Sequence, residues 1–171
     1  LIGEDIGRWG NLLGATRDLL AEFGPEQVKD APISEAAIAG CAIGSAVMGM
    51  RPIVEIMYID FISIAMDQIV NHACKYHQLS NGAVTVPVVF RTQGGVGMRN
   101  SSQHSQSLEN WFVNVPGLIG AMPATPYDMR GLLRSAIRAD NPVLLVEHKL
   151  LYFTKGEAPQ EEYLIPFGVA D

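Results

Sequence analysis

The apolar positions of this chain fall into short blocks whose period changes several times, and each change marks a predicted element. Residues 12–23 have helical spacing and stop at Gly24-Pro25, and residues 27–31 form a short extended piece. A helix is predicted from Ser34 through the charge-free run 36–50, with Ser34 as N-cap and Glu35 in the first turn. Residues 51–57 read as a strand. Over 60–79 the apolar residues Ile62, Ala65, Met66, Ile69, Ala73 and Tyr76 recur at helical spacing until Ser80-Asn81-Gly82. Residues 84–90 are a β-branched strand, and 92–107 a Gly- and polar-rich loop too long for a simple connector. A short helix over 108–113, a strand over 118–122, a helix over 126–138 opened by Pro126, and a strand over 143–147 follow. Residues 154–171, with Gly156, Pro159 and a Glu pair, read as a connector leading out of the domain. Strands alternating with helices predict an α/β fold, a doubly wound and mostly parallel sheet with helices on both faces and ligands at the carboxyl ends of its strands.

Composition narrows the partners. The 171 residues fit one domain, and 48% hydrophobic content implies extensive burial. Twelve Lys and Arg against 18 Asp and Glu give a net charge of −6 without a long basic run, so neither nucleic acid nor an anionic membrane is expected as a partner. The longest uncharged stretch, 36–50, falls short of the roughly 20 residues that span a bilayer. Cys41 and Cys74 lack CxxC spacing and read as small buried hydrophobes in a reducing, cytoplasmic setting. The opening Leu1-Ile2-Gly3-Glu4-Asp5 has no initiator Met and reads as an apolar pair entering a turn, which suggests a missing N-terminal piece.

Candidate chemistry centres on Glu35. A carboxylate in a first helical turn is ordinary, contributing a few tenths to about 1 kcal/mol against the macrodipole. Here its neighbours Ile33, Ala37 and Ile38 offer little water. Desolvation raises a carboxyl pKa while a helix N-terminus lowers it, and a group balanced between the two can share a proton with a ligand. Gly40 and Gly44 allow another backbone to come close, within this subunit or from a partner. Other site types are set aside. Gly95-Val96-Gly97 has Asn100 where a dinucleotide fingerprint needs its third glycine, and His72 and His77 lack HExxH spacing. Ser101, Ser102, Ser105 and Ser107 crowd His104 without a GxSxG elbow. His104, in a loop following a strand, is a candidate protonatable group. Met57 and Phe61, at a strand end and a helix start, read as core by default.

Pro32-Ile33-Ser34-Glu35 with Gly40 and Gly44, then Arg51-Pro52-Ile53, Asp67-Gln68-Ile69, Gln103-His104-Ser105-Gln106, Asn141-Pro142-Val143 and the run from Glu147 to Tyr152 occur in a specific order and spacing. Together they resemble, nearly end to end, the beta subunit of the thiamine-dependent first component of 2-oxo acid dehydrogenase complexes of the pyruvate and acetoin type. The resemblance implies that residues 1–153 are the pyrimidine-binding domain and that 154–171 begin a connector to an absent C-terminal domain. It implies a half-site for thiamine diphosphate, with diphosphate and magnesium held by an alpha subunit in an α2β2 heterotetramer. It implies that Glu35 hydrogen-bonds the aminopyrimidine, that Met57 and Phe61 wall that ring, and that His104 steadies the intermediate or assists acyl transfer to the lipoyl group of a lipoylated acyltransferase. A structural potassium ion on the backbone carbonyls of Val88, Ala136, Ala139 and Asn141 is a further implication.

The activity implied is oxidative decarboxylation of pyruvate or a similar small 2-oxo acid. An acetoin-cleaving dehydrogenase and a non-catalytic interaction domain of the same fold are the alternatives. The implied compartment is cytoplasmic, or an organelle matrix in a eukaryote. Met98-Arg99-Asn100-Ser101-Ser102 departs from the small residues that many relatives carry before the Gln-His-Ser-Gln run.

Overall fold

Hydrogen bonding joins six strands side by side, all parallel, in a computed structural model that describes residues 1–169. Ala170 and Asp171, the end of the predicted connector, lie outside the described residues. The strands are β1 (Ile2–Gly3), β2 (Lys29–Asp30), β3 (Ile53–Ile56), β4 (Val89–Gly94), β5 (Ile119–Ala121) and β6 (Val143–His148). Their spatial order is β2-β1-β3-β4-β6-β5. The helices are α1 (Leu19–Phe23), α2 (Glu35–Val47), α3 (Tyr76–Leu79) and α4 (Pro126–Arg138), with shorter 3₁₀ turns between elements.

Alternation along the central strands sorts side chains to two faces, as the pleat requires. Val54, Ile56, Val88, Phe90, Leu144 and Val146 join α2 and the 59–73 segment in the larger core. Val89 and Val143 point the other way, onto Ala136, Leu133 and Ile137 of α4. Helices therefore cover both faces, which is the predicted doubly wound arrangement.

Local chemistry explains where predicted and observed elements part. The helix predicted over 12–23 forms only at Leu19–Phe23. Upstream, the Asn11 carboxamide accepts from the backbone N–H of Leu13 at 2.6 Å and Ala15 at 3.3 Å, and Asp18 sits at φ 68°, so turns replace the first helical turns. The stretch predicted as one helix over 60–79 is a 3₁₀ helix at Ile59–Ala65, a π-helical segment at Gln68–Ala73 and then α3. Ile59, Ile62 and Ala65 are buried three apart, as the 3₁₀ helix requires, whereas Ile69 and Ala73 keep the four-residue spacing that an α-helix would also show. The strand predicted over 84–90 pairs only from Val89, because Pro87 has no N–H to give a ladder, and it runs on to Gly94.

The loop therefore begins at Gly95. Gly95 (φ +88°) and Gly97 (φ +111°) turn it beneath the exit of β6, where a Cβ would come within 2.4 Å of the His148 ring and 2.5 Å of Leu150 respectively. α4 keeps its predicted bounds, fixed by Pro126 and a capping box between Thr125 and Asp128. Beyond Phe153 the chain runs back along α4 without regular structure. There Ser135 Oγ donates to the Ile165 carbonyl at 2.7 Å, and Ile165 lies over Gly131. Among the described residues no helix is long and apolar enough to cross a membrane.

Candidate functional site

The segments that leave the carboxyl ends of β1, β2, β3 and β4 surround a cleft of about 520 Å³ lined by Glu4, Leu12, Ile33, Glu35, Met57, Tyr58, Phe61, Asn100 and His104. It lies where the strand order reverses, beside β1 and β3, the position at which open α/β sheets bind ligands. The four residues that the resemblance set at the active site, Glu35, Met57, Phe61 and His104, all line this cleft, whereas Val88, Ala136, Ala139 and Asn141, named for potassium, do not.

Glu35 opens α2 and is buried, with 6% of its surface exposed. Ser34 holds the N-cap position without a side-chain cap bond, so the expected Ser34 cap is not made and the helix start is left to Glu35 and its neighbours. Opposite it, Glu4 has its pKa raised by burial, then by the charges of Glu35 and Asp5. The lining holds two carboxylates and no Lys or Arg. One face of His104 packs edge-on to Tyr58, ring centroids 4.8 Å apart, and to Phe61 at 5.2 Å. Its Nδ1 is buried without a hydrogen-bond partner among the described residues. The cleft thus offers apolar walls, a buried carboxylate, and an imidazole with an unused nitrogen: groups that suit a flat heterocycle able to accept and release a proton.

Several lining or supporting residues escaped sequence reasoning. Tyr58, Asn100 and Glu4 line the cleft, and Asp60 and Lys149 stand behind it. Glu4 follows a strand of only two residues, too short to show a period, while Lys149 after an apolar strand looks like a surface residue. Lys149 is instead fully buried, and burial lowers its pKa against the opposing charge of Asp60.

On the α4 side of the same strands lies a second polar group. Arg91 forks onto Glu147 at 2.7 and 2.9 Å and reaches Glu55 at 3.3 Å. Asn11 and Gln93 donate to Glu55, and Tyr152 donates to Glu147. Burial works to strip the Arg91 proton, but Glu147 and Glu55 prevail and its pKa stays above that of a free guanidinium. Arg91, Glu147 and Tyr152 help line a hollow of about 370 Å³ under α4. Their charges are answered by one another, and the Glu35 cleft is the candidate site.

The outer face of α2 departs from expectation. A Cβ at Gly40 or Gly44 would meet nothing within 4 Å, so close packing on these glycines does not occur within this chain. Cys41, expected to be buried, is exposed there, whereas Cys74 is buried and its thiol pushed up to about 11 by desolvation.

Residues 1–155 match the family model described as "Transketolase, pyrimidine binding domain". The chain belongs to that family. This pyrimidine-binding domain is 47% identical to the 2-oxoisovalerate dehydrogenase subunit beta of Bacillus subtilis, covering 100% of the chain and 53% of the relative. It is 46% identical to the pyruvate dehydrogenase E1 component subunit beta of Porphyra purpurea, over 100% and 52%. It is 45% identical to the acetoin:2,6-dichlorophenolindophenol oxidoreductase subunit beta of Cupriavidus necator, over 100% and 53%. The chain thus spans about half the length of the curated relatives it matches. A solved structure described as "Split gene transketolase, inactive beta4 tetramer" superposes at TM-score 0.66 with 18% identity, covering 87% of this chain and 45% of that one, a likeness of fold.

Proposed function

We propose that this chain is the pyrimidine-binding segment of the beta subunit of a thiamine diphosphate-dependent 2-oxo acid dehydrogenase. The observation that carries the reading is the convergence of Glu35, Met57, Phe61 and His104, from separate segments, on one cleft at the carboxyl ends of the strands. When bound, thiamine diphosphate supplies a nucleophilic carbon to the 2-oxo carbonyl and takes up the electron pair left by departing carbon dioxide. Glu35, buried although its neighbours Ile33 and Ala37 are exposed rather than dry as the sequence suggested, would hydrogen-bond the ring nitrogen of the aminopyrimidine. Met57 and Phe61 press on the ring and fix its orientation. His104, on the cleft wall, would steady the intermediate or assist acyl transfer to a lipoyl group.

The remaining components are read in the same way. Diphosphate and magnesium belong to an alpha subunit, and the exposed uncharged face of α2, with Ala37, Gly40, Cys41 and Gly44, suits a subunit contact within an α2β2 assembly. A second beta subunit and a lipoylated acyltransferase core complete the partners. Residues 154–171 lead to a C-terminal domain, and the setting is cytoplasmic or an organelle matrix. Potassium on the carbonyls of Val88, Ala136, Ala139 and Asn141 rests on the family resemblance, and it would share those oxygens with donors already there: Arg51 donates to the Ala139 carbonyl at 2.8 Å and the Val143 N–H to the Val88 carbonyl at 2.9 Å. A melting temperature that rises in potassium but not in choline would bear on it.

The deciding experiment assembles the full-length chain with its alpha-type subunit and follows thiamine-dependent reduction of an artificial electron acceptor with pyruvate, branched 2-oxo acids and acetoin. Activity that collapses in Glu35→Gln supports the reading, and turnover on acetoin alone selects the acetoin-cleaving alternative. A properly assembled, cofactor-loaded complex that turns over none of them overturns these substrate assignments and points to a divergent substrate or a non-catalytic domain.

A further inference from the structure

Lys149 is the largest charged side chain in the molecule without exposed surface, and its surroundings do little to neutralise it. Its Nζ donates to the backbone carbonyl of His104 and lies 5.0 Å from the centre of the Tyr58 ring. The charge of Asp60 acts on it from nearby. An ammonium taken out of water loses more than a single carbonyl and one aromatic face return, and a methionine would fill the same space without that loss. What methionine could not do is hold the His104 carbonyl.

Other contacts converge on the same loop. Asp60 Oδ1 accepts from the Gln106 side chain at 2.9 Å and from the Gln106 backbone at 3.3 Å. The Gln106 carbonyl accepts from Gly95 N–H at 3.0 Å, and Ser105 Oγ donates to the Ser101 carbonyl at 2.8 Å. These bonds pin the foot of the loop, whereas Lys149 takes hold of its working residue. The Tyr58 ring that faces the ammonium is also the ring against which the His104 imidazole is seated.

We propose that Lys149 is a positioning residue for His104: its ammonium, between the Tyr58 ring and the His104 carbonyl, fixes the Ser102–His104 turn so that the imidazole stays between Tyr58 and Phe61 on the cleft wall. The catalytic half of this inference rests on the reading of His104 as a group that acts on bound substrate. The structural half, that Lys149 orders the loop, does not.

The test uses the full-length chain assembled with its alpha-type subunit, and the variants Lys149→Met, His104→Ala and both together. Backbone amide exchange of the 99–107 segment, measured without cofactor or substrate, is expected to accelerate about tenfold or more in Lys149→Met, as loss of a charge-assisted hydrogen bond implies, while β5 stays as protected as in the parent. In the lipoyl-dependent reaction kcat is expected to fall about tenfold with KM nearly unchanged. Added to His104→Ala, the Lys149 change should cost less than about twofold, because residues acting through one another are not additive.

Unchanged exchange, or an equal fractional loss of kcat in both backgrounds, overturns the proposal in favour of a packing role. If Lys149→Met does not assemble, Lys149→Gln, which loses the charge and the reach but keeps a polar head, takes its place in the same measurements, and unchanged exchange or kcat there overturns the proposal as well. Full activity in His104→Ala defeats the reading of His104 and with it the catalytic half, while the exchange result still decides whether Lys149 orders the loop.

Discussion

At the carboxyl ends of its strands the sheet carries two groups of carboxylates, one on each face, and they differ in what answers their charge. Under α4, Glu55 and Glu147 share Arg91, and Asn11, Gln93 and Tyr152 supply further donors. Beside α2, Glu4 and Glu35 line a cleft that contains no Lys or Arg, and His104 keeps an unpartnered nitrogen. The first arrangement answers its charges from within, although Gln93 Oε1 is left without a partner among the described residues. The second leaves its two carboxylates without a cation in the lining, and that difference is the physical ground for proposing the cleft as the site.

The comparison breaks most sharply at Arg91. Arg91→Met would leave Glu55 and Glu147 buried and facing one another, with an expected loss of about 3–5 kcal/mol, read as a lowered denaturant midpoint. A loss below about 1 kcal/mol would show that the cluster is dispensable and that pairing says little about its role. Glu35→Gln should behave in the opposite way. Turnover by the assembled enzyme is expected to fall by about 10²–10⁴, the usual worth of a positioned proton-transfer group. The midpoint should move little, because no side chain of opposite charge among the cleft residues loses a partner.

A third test uses pH. Burial raises the Glu55 pKa above its ordinary 4.5, against Arg91 and Asn11, which lower it. A raised value in the folded state means that folding favours the protonated form. The contribution is therefore whole below about pH 4.5 and is lost as pH rises through the raised folded value. Glu55→Gln removes this titration, so the variant should gain stability relative to the parent as pH climbs toward neutrality. Denaturation midpoints across that range check it; a constant difference between the two proteins would mean that Arg91 cancels the burial of Glu55 altogether. The similar shift of Glu4 is present in both proteins and drops out.

How much of this was legible beforehand follows from where each signal resides. The bounds of α4 and the start of α2 are encoded locally, by Pro126 with the Thr125–Asp128 box and by Glu35 after Pro32. The parallel sheet was legible from alternation of strand and helix, but β1 and β2, two residues each, are too short to carry a period. The segment from Ile59 to Leu79 kept its apolar stripe while its backbone changed from 3₁₀ to π to α, which spacing alone does not distinguish from one helix. The cleft was harder still. Met57 and Phe61 are core residues by any periodic argument, and only the family resemblance set them beside Glu35 and His104 before the fold did. Lys149 and Asp60 had no local signal, because their meaning lies in contacts across 45 and 46 residues of chain.

The smallest expected effect asks whether the two faces are independent. Thr125 Oγ1 accepts from the Asp128 N–H at 3.1 Å, while Asp128 Oδ2 accepts from the Thr125 N–H at 2.9 Å, closing the first turn of α4. Thr125 also lines the hollow whose floor is Arg91 and Glu147. Thr125→Ala removes both bonds of the Thr125 hydroxyl, the one accepted from the Asp128 N–H and the one donated to Asp128 Oδ2 at 2.8 Å, and should lower stability by about 1 kcal/mol. Asp128 still accepts from the backbone of Ala124 and Thr125, and the turn is open to water, so a value at the lower end is expected. The cleft lies on the opposite face, so kcat and KM should stay at the parent's values. A fall in kcat without a matching loss of stability would show that the paired cluster transmits strain through β4 and β6 to the loop carrying His104, and the division between scaffold and site would have to be redrawn around those two strands.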